Sequence, residues 1–277
     1  MKRIAIQGVS GAFHEIAARE YFNGEELELV PCITFRDIFT EAEKDQALIG
    51  IMAIENTIAG SLLPNHNLLK YSNLQIAGEH KLHISHQLAA LPGQSLSDIK
   101  EVWSHPMALM QCELFLDTLP RARNVEHDDT ALAAKEIRDK KLTGIAAICS
   151  TLATEMYGLE ILAPSIETNK RNFTRFLILA QGDMLKEVQK NNCINKASLV
   201  FVLPHSEGRL SQVLSVLSFY QINLTRIQSL PIVGREWEYQ FYIDLTFVDY
   251  QRYCQSIDAI LPLVSDLKVL GEYKEFA

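Results

Sequence analysis

Thr174 and Arg175 set a hydroxyl and a guanidinium side by side at the head of an apolar strand, in the run Asn172-Phe173-Thr174-Arg175-Phe176 that continues into Leu177-Ile178-Leu179. A hydroxyl can donate a hydrogen bond to a departing group, and the planar fork of an arginine can hold a carboxylate through two N–H donors. Alone, the pair also reads as an ordinary surface Thr-Arg at a strand start. Three further stretches change that reading. Glu55-Asn56-Thr57 closes a nearly unbroken apolar run over residues 48–54, which reads as a strand buried on both faces. Its carboxylate and amide then sit at the carboxyl end of a central strand, where open α/β sheets bind ligands. Ser104-His105-Pro106 has the form of a helix start, with Gln111 one turn further in. Gly8-Val9-Ser10-Gly11-Ala12-Phe13 is a tight turn opening a helix, a device that points backbone N–H groups at a carboxylate or phosphate.

Other chemistries fit poorly. The glycine turn lacks the third glycine and the distant acidic residue of a dinucleotide site. A net charge of −8 argues against a nucleic-acid partner and gives no general attraction to anions, so any anion must be captured locally. Five widely spaced cysteines without a Cys-x-x-Cys pair suit reduced thiols rather than a disulfide frame or a zinc site. His80, His83 and His86 tempt a metal reading, but on a strand His83 points away from the other two. Met1-Lys2-Arg3 is followed by no apolar segment long enough for a signal peptide or a membrane span, so a cytoplasmic protein is expected.

The elements that must position these residues alternate between strand and helix. Strands are expected over 2–7, 27–31, 48–54, 97–103, 123–126, 144–149, 160–162 and 174–179, with a strand between 74 and 91 crossing into a second lobe. Helices fall between them, with Gly158 as a helix C′ residue. The count predicts two lobes, each a small and mostly parallel sheet flanked by helices, joined by two crossings that make a cleft. Residues 182–196 are polar and read as a linker. Beyond it come strand (197–203), helix (208–220), strands (223–231 and 236–247), helix (249–263) and strand (267–276), a ferredoxin-like βαββαβ unit.

The four stretches, in this order and with this succession of domains, resemble prephenate dehydratase. That family's Thr-Arg-Phe stands here as Thr174-Arg175-Phe176, its Glu-Asn-Ser as Glu55-Asn56-Thr57, and its Ser-His-Pro…Gln as Ser104-His105-Pro106…Gln111. Thr57 keeps the hydroxyl of the family's serine. Two departures stand out. His14 replaces a serine in the glycine motif, and the regulatory Glu-Ser-Arg-Pro is Gln228-Ser229-Leu230-Pro231, though the following Trp237, Tyr239 and Phe241 match. The resemblance implies a two-lobed α/β catalytic domain similar to type II periplasmic binding proteins over residues 1–181, with lobes of about 1–78 plus 163–181 and of 79–162. It further implies an ACT regulatory domain over 195–277.

By the same resemblance, the reaction is the loss of carbon dioxide and water from prephenate to give phenylpyruvate, with no cofactor or metal. Thr174 is cast as donor to the leaving hydroxyl and Glu55, if burial keeps it protonated, as the alternative acid. Arg175 would clamp a carboxylate. Asn56, Thr57, Ser104, Gln111, Asn172, Phe176 and the backbone of Ser10, Ala12 and Phe13 would complete the substrate site. L-Phenylalanine would bind as feedback inhibitor between paired ACT domains of a homodimer or homotetramer, near Gly208, Arg209, Leu210, Asn223, Leu224 and the altered 228–231 motif. An arogenate dehydratase and a non-catalytic binding protein remain as alternatives, and no residue pattern separates a keto from an amino side chain.

Overall fold

The computed structural model describes residues 1–190, 193–203, 206–232, 234–235 and 238–276. In order, the chain forms β1 (Lys2–Gln7), α1 (Phe13–Tyr21), β2 (Leu27–Cys32), α2 (Phe35–Lys44), β3 (Ile49–Asn56), β4 (Gly60–Ser61), α3 (Leu63–Lys70), β5 (Gln75–His83) and β6 (Gln87–Ala90). It continues through β7 (Glu101–Ser104), α4 (Pro106–Gln111), α5 (Glu113–Leu116), β8 (Arg123–Glu126), α6 (Thr130–Lys140), β9 (Ile145–Cys149), α7 (Thr151–Tyr157), β10 (Glu160–Ala163), β11 (Phe173–Ala180) and α8 (Gly182–Gln189). The last part is β12 (Lys196–Val202), α9 (Arg209–Phe219), β13 (Asn223–Pro231), β14 (Tyr239–Thr246), α10 (Tyr250–Ile260) and β15 (Ser265–Tyr273). Packing divides the chain into two compact units. One holds residues 1–44, 48–62 and 80–176, and the other holds 45–47, 63–79 and 177–277.

Two sheets organise the first unit, with residues 75–79 of β5 and 177–180 of β11 counted in the second unit. In the one that begins the chain, β1 pairs in parallel with both β2 and β3, and the strand order is β2-β1-β3-β11-β5 with β4 on β3. Ile49 to Ile54 of β3 are all buried, as an apolar run covered on both faces requires. The second sheet has the order β10-β6-β9-β7-β8. It is mostly parallel as expected, with β7, β8 and β9 paired in parallel, except where β6 and β10 pair antiparallel. These are the strands on which the chain enters and leaves the sheet. The single strand expected between 74 and 91 is broken, into β5 and β6.

Local chemistry sets the helix starts that matter for the site. Asp129 caps α6 by accepting from Ala131 N and Leu132 N, Ser150 caps α7 by accepting from Ala153 N, and Pro106 opens α4. Gly158 ends α7 in the left-handed conformation, as its sequence position suggested. The turn from β1 into α1 is pinned from three sides. The buried Glu15 carboxylate accepts from Gly11 N at 2.7 Å, Ser150 Oγ donates to Gly11 O at 2.6 Å, and Tyr157 OH donates to Ser10 O at 2.6 Å.

In the second unit β12 to β15 form an antiparallel sheet of order β13-β14-β12-β15, with α9 and α10 as connections. This is the ferredoxin-like arrangement. Its core includes Leu199, Phe201, Val213, Leu217, Leu245 and Tyr253. Residues 182–196 are not a plain linker as expected, since α8 forms there and buries Val188. β14 begins at Tyr239, and residues 236 and 237 of the expected strand and motif lie outside the described residues. Lys196 and Glu79 form a buried ion pair at 2.8 Å within this unit.

Gly11 lies at φ +91°, and a Cβ there would come within 2.9 Å of the Cα and Cβ of Ala153. Gly11→Ala combines left-handed strain with a backbone collision, so it should cost about 2–4 kcal/mol of unfolding free energy in urea titration. A variant as stable as the parent would mean that the turn does not depend on this close approach.

Candidate active site

A cavity of about 360 Å³ lies in the first unit, lined by β1, β3 and β11 of the first sheet, by α1 and α4, and by residues at His86, His105 and Asp128 beside the strands of the second sheet. Its size falls within the roughly 300–1,000 Å³ usual for small-molecule sites. Of the residues singled out by sequence, Ala12, Phe13, Asn56, Gln111, Thr174 and Phe176 line it.

The Asn56 side chain joins this wall together. Its Nδ2 donates to Asn172 Oδ1 at 2.7 Å, to Thr174 Oγ1 at 2.9 Å and to Phe173 O at 3.1 Å. Its Oδ1 accepts from Ile58 N and Ala59 N, both at 2.9 Å, and more weakly from Gln111 Nε2 at 3.4 Å. Gln111 Oε1 in turn accepts from Asn172 Nδ2 and meets His86 Nε2, each at 2.9 Å. Because Gln111 Oε1 can only accept, His86 carries its proton on Nε2. Asn56, His86, Gln111, Asn172 and Thr174 are all at most 9% exposed. A buried amide left without its partner would cost about 1–3 kcal/mol, so the groups hold one another in a single arrangement.

Thr174 Oγ1 is thus an acceptor from Asn56. Its own hydroxyl proton remains to be donated to a partner in the cavity.

The pleat of the strands sends the adjacent residues elsewhere. Successive side chains on a strand point to opposite faces, so Arg175 and Glu55 leave the wall that Thr174 and Asn56 share. Arg175 Nη1 lies 3.4 Å from Glu55 Oε1. Neither residue lines the cavity, and the Glu55 side chain is 34% exposed. The enclosed, apolar setting expected for a protonated Glu55 is absent, and the Arg175 fork is turned to a carboxylate of the protein itself. Ser104 is fully buried and donates to Ile148 O at 2.7 Å, while Thr57 Oγ1 bonds Arg171 O and Phe173 N at 2.9 Å each. These two hydroxyls tie strands and loops together. Ser10 and Gly11 are bound up in the pinned turn, and Ala12 N donates to Val9 O. Of the backbone donors expected at Ser10, Ala12 and Phe13, Ala12 N is thus spent within the turn, while the first turn of α1 at Phe13 and His14 has no side-chain cap.

The cavity also holds residues that the sequence did not single out for it. His14 packs edge-on against Phe176 with ring centroids 5.0 Å apart, and burial pushes its pKa down to about 3. His86 is lowered too, by burial, against the opposing pull of its Gln111 hydrogen bond and the nearby Glu167 carboxylate. Both rings are neutral at ordinary pH, and His14 Nε2 and His86 Nδ1 are buried without a hydrogen-bond partner. Asp129 lines the cavity as well, its pKa raised by burial against the backbone donors Leu132 and Ala131 and the charges of His105 and His127. His14 was visible only as a departure from a motif, and Asp129 only as a helix start. The three histidines near β5 go to separate partners, His80 to Glu20, His83 to Lys170 O and His86 to Gln111. No group of side chains able to hold a metal ion occurs among the described residues.

The family model described as prephenate dehydratase matches residues 4–184, well over half of the chain. The chain belongs to the prephenate dehydratase family. It is similar to arogenate dehydratase/prephenate dehydratase 2, chloroplastic, of Arabidopsis thaliana, with 37% identity over 98% of this chain and 72% of that protein. Among solved structures it is similar to a prephenate dehydratase in complex with L-Phe from Arthrobacter aurescens, with TM-score 0.85, 26% identity, and coverage of 98% of this chain and 89% of that one. A structure described as GqqA, a novel type of quorum quenching acylase, also matches at TM-score 0.87 and 28% identity, over 99% of this chain and 98% of that one.

His14 gives the site a measurable pH signature. Its folded pKa of about 3 lies below the ordinary 6.5, so the unfolded chain binds the extra proton. The stability it confers is complete above that ordinary value and falls by about 1.4 kcal/mol per pH unit on acidification below it. Between pH 7 and pH 5 the parent should therefore lose about 2 kcal/mol more than His14→Leu in denaturant titrations. Equal losses would show that His14 is not held neutral by burial.

Proposed function

We propose that the protein is a lyase that converts prephenate to phenylpyruvate, with Thr174 as hydrogen-bond donor to the departing ring hydroxyl. The observation that carries this reading is the buried amide network that occupies Thr174 Oγ1 as an acceptor and leaves its proton to the cavity. In the reaction the bond from the ring to its carboxylate breaks, its electron pair enters the ring, and the hydroxyl on the opposite ring carbon leaves. The products are carbon dioxide, water and an aromatic ring, and one proton is taken up. A threonine hydroxyl is too weak an acid to be the net source of that proton, so Thr174 stabilises the leaving oxygen by hydrogen bonding and solvent supplies the proton.

The uncapped first turn of α1 supports a place for the side-chain carboxylate, since its N–H groups and the helix dipole favour an anion. Phe13 and Phe176 offer apolar walls for the ring. Asn56, Asn172 and Gln111 fix the donor's orientation, which is the part of catalysis that positioning supplies. Arg175 and Glu55 act here as a paired brace behind the wall rather than as clamp and acid.

Residues 195–277 are proposed as an ACT regulatory domain that binds L-phenylalanine and pairs with a second copy. The ferredoxin-like sheet supports this, with β13 at its edge and Gly208 in the left-handed conformation at the start of α9. An edge strand is open to pairing with another chain. The proposed setting is cytoplasmic, in keeping with five free thiols. No helix among the described residues is long and apolar enough to cross a membrane.

Purified protein should turn over prephenate with no added metal or nucleotide. Thr174→Ala should lower kcat about 10²- to 10⁴-fold with a much smaller change in KM, while Thr174→Ser keeps most of the rate. Wild-type turnover by Thr174→Ala would remove the donor role. Calorimetry with L-phenylalanine should give heat and inhibition that weaken when a substrate analogue is present, as linkage requires. Silence at millimolar ligand would leave the C-terminal unit with a dimerisation role alone.

A further inference from the structure

The cavity that holds Thr174 carries charge of the wrong sign for a substrate with two carboxylates and no cation. Asp128 and Asp129 both line it, the buried His14 and His86 are neutral, and among the described residues of its wall the one further basic side chain is the His105 imidazole, with no lysine or arginine. The Asp129 carboxylate is also placed with care. Its Oδ1 accepts from Ala131 N and Leu132 N at 2.9 Å each, which satisfies the start of α6. Its Oδ2 reaches to the turn between β1 and α1, so closely that a Cβ on Gly8 would sit 2.8 Å from it. Only a glycine at that position, here at φ +99°, leaves room for the carboxylate. A helix N-terminus that favours an anion and a carboxylate that favours a cation therefore lie beside each other in one cavity.

That pair matches the two ends of an α-amino acid. A carboxylate can take the first-turn N–H groups of α1 while the neighbouring ammonium meets Asp129 Oδ2. With a keto group instead, the carbonyl lone pairs face a carboxylate that they cannot accept a proton from. The wall carries a second sign of a polar ligand. His14 Nε2 and His86 Nδ1, on side chains at most 9% exposed, are buried without partners. Groups of this kind cost stability unless something in the cavity meets them.

We infer that Asp129 is a specificity-determining residue that makes the site prefer the amino analogue, arogenate, over the keto substrate prephenate. The inference rests on the dehydratase reading of this same cavity. The bonds that break are the same in both substrates, so Asp129 acts on the choice of side chain and leaves the chemistry to Thr174.

The test compares kcat/KM for arogenate and prephenate in the parent, Asp129→Asn and Asp129→Ser. Asparagine and serine both cap helices as well as aspartate does, so α6 keeps its start while the charge is removed. The parent should favour arogenate, and in both variants the arogenate-to-prephenate ratio should fall on the order of 100-fold. A parent that favours prephenate, or variants that lose both activities in equal proportion, would overturn the inference while leaving the dehydratase reading intact. A parent that turns over neither substrate would overturn the dehydratase reading itself, and this inference with it.

Discussion

The Asn56 carboxamide is the contact on which the site depends. It stands at the end of β3 and joins three things at once: the turn after β3 through Ile58 N and Ala59 N, the start of β11 through Asn172 and Thr174, and α4 of the other sheet through Gln111. An amide suits this place because it donates and accepts from the same planar group, so one side chain can fix both the direction and the role of each neighbour. An aspartate there could accept the turn but could not donate to Thr174. The hydroxyl would then spend its proton on the protein.

The turn at the end of β1 is the second fixed point, and it is held from below by the carboxylate that follows His14 in the glycine motif. Glu15 is fully buried, accepts from Gly11 N and meets Arg19 Nε at 2.7 Å. With Ser150 and Tyr157 on the neighbouring carbonyls, it orients the first turn of α1 toward the cavity. A turn fixed this way can present backbone donors without reorganising when an anion arrives, which is what preorganised electrostatics requires.

Adjacency in the chain misleads at a strand end. Thr174 and Arg175 are neighbours in sequence, as are Asn56 and Glu55, and each pair is split by the two-residue period of the strand. What comes together in space is Thr174 with Asn56 on one face and Arg175 with Glu55 on the other. The motif is therefore a record of two layers, a polar wall and the ion pair behind it.

The order of strands and helices, the βαββαβ unit and the four polar stretches were legible in the sequence because they depend on local period, turn chemistry and residue type. Asn56, Gln111 and Thr174 were reached through the family resemblance that those stretches carry together. The direction of each side chain could not be reached that way, since it follows from which face of a strand is covered and by what. Ser104 and Thr57 look like ligand groups in a motif and are bonds between elements in the fold. Asp129 looks like a helix cap and is also a charge in a cavity, because a glycine distant in sequence leaves space beside it. Sequence determined which groups were available; tertiary packing decided which of them keep a lone pair or a proton unspent, because burial and the exclusion of water come only from elements far apart in the chain.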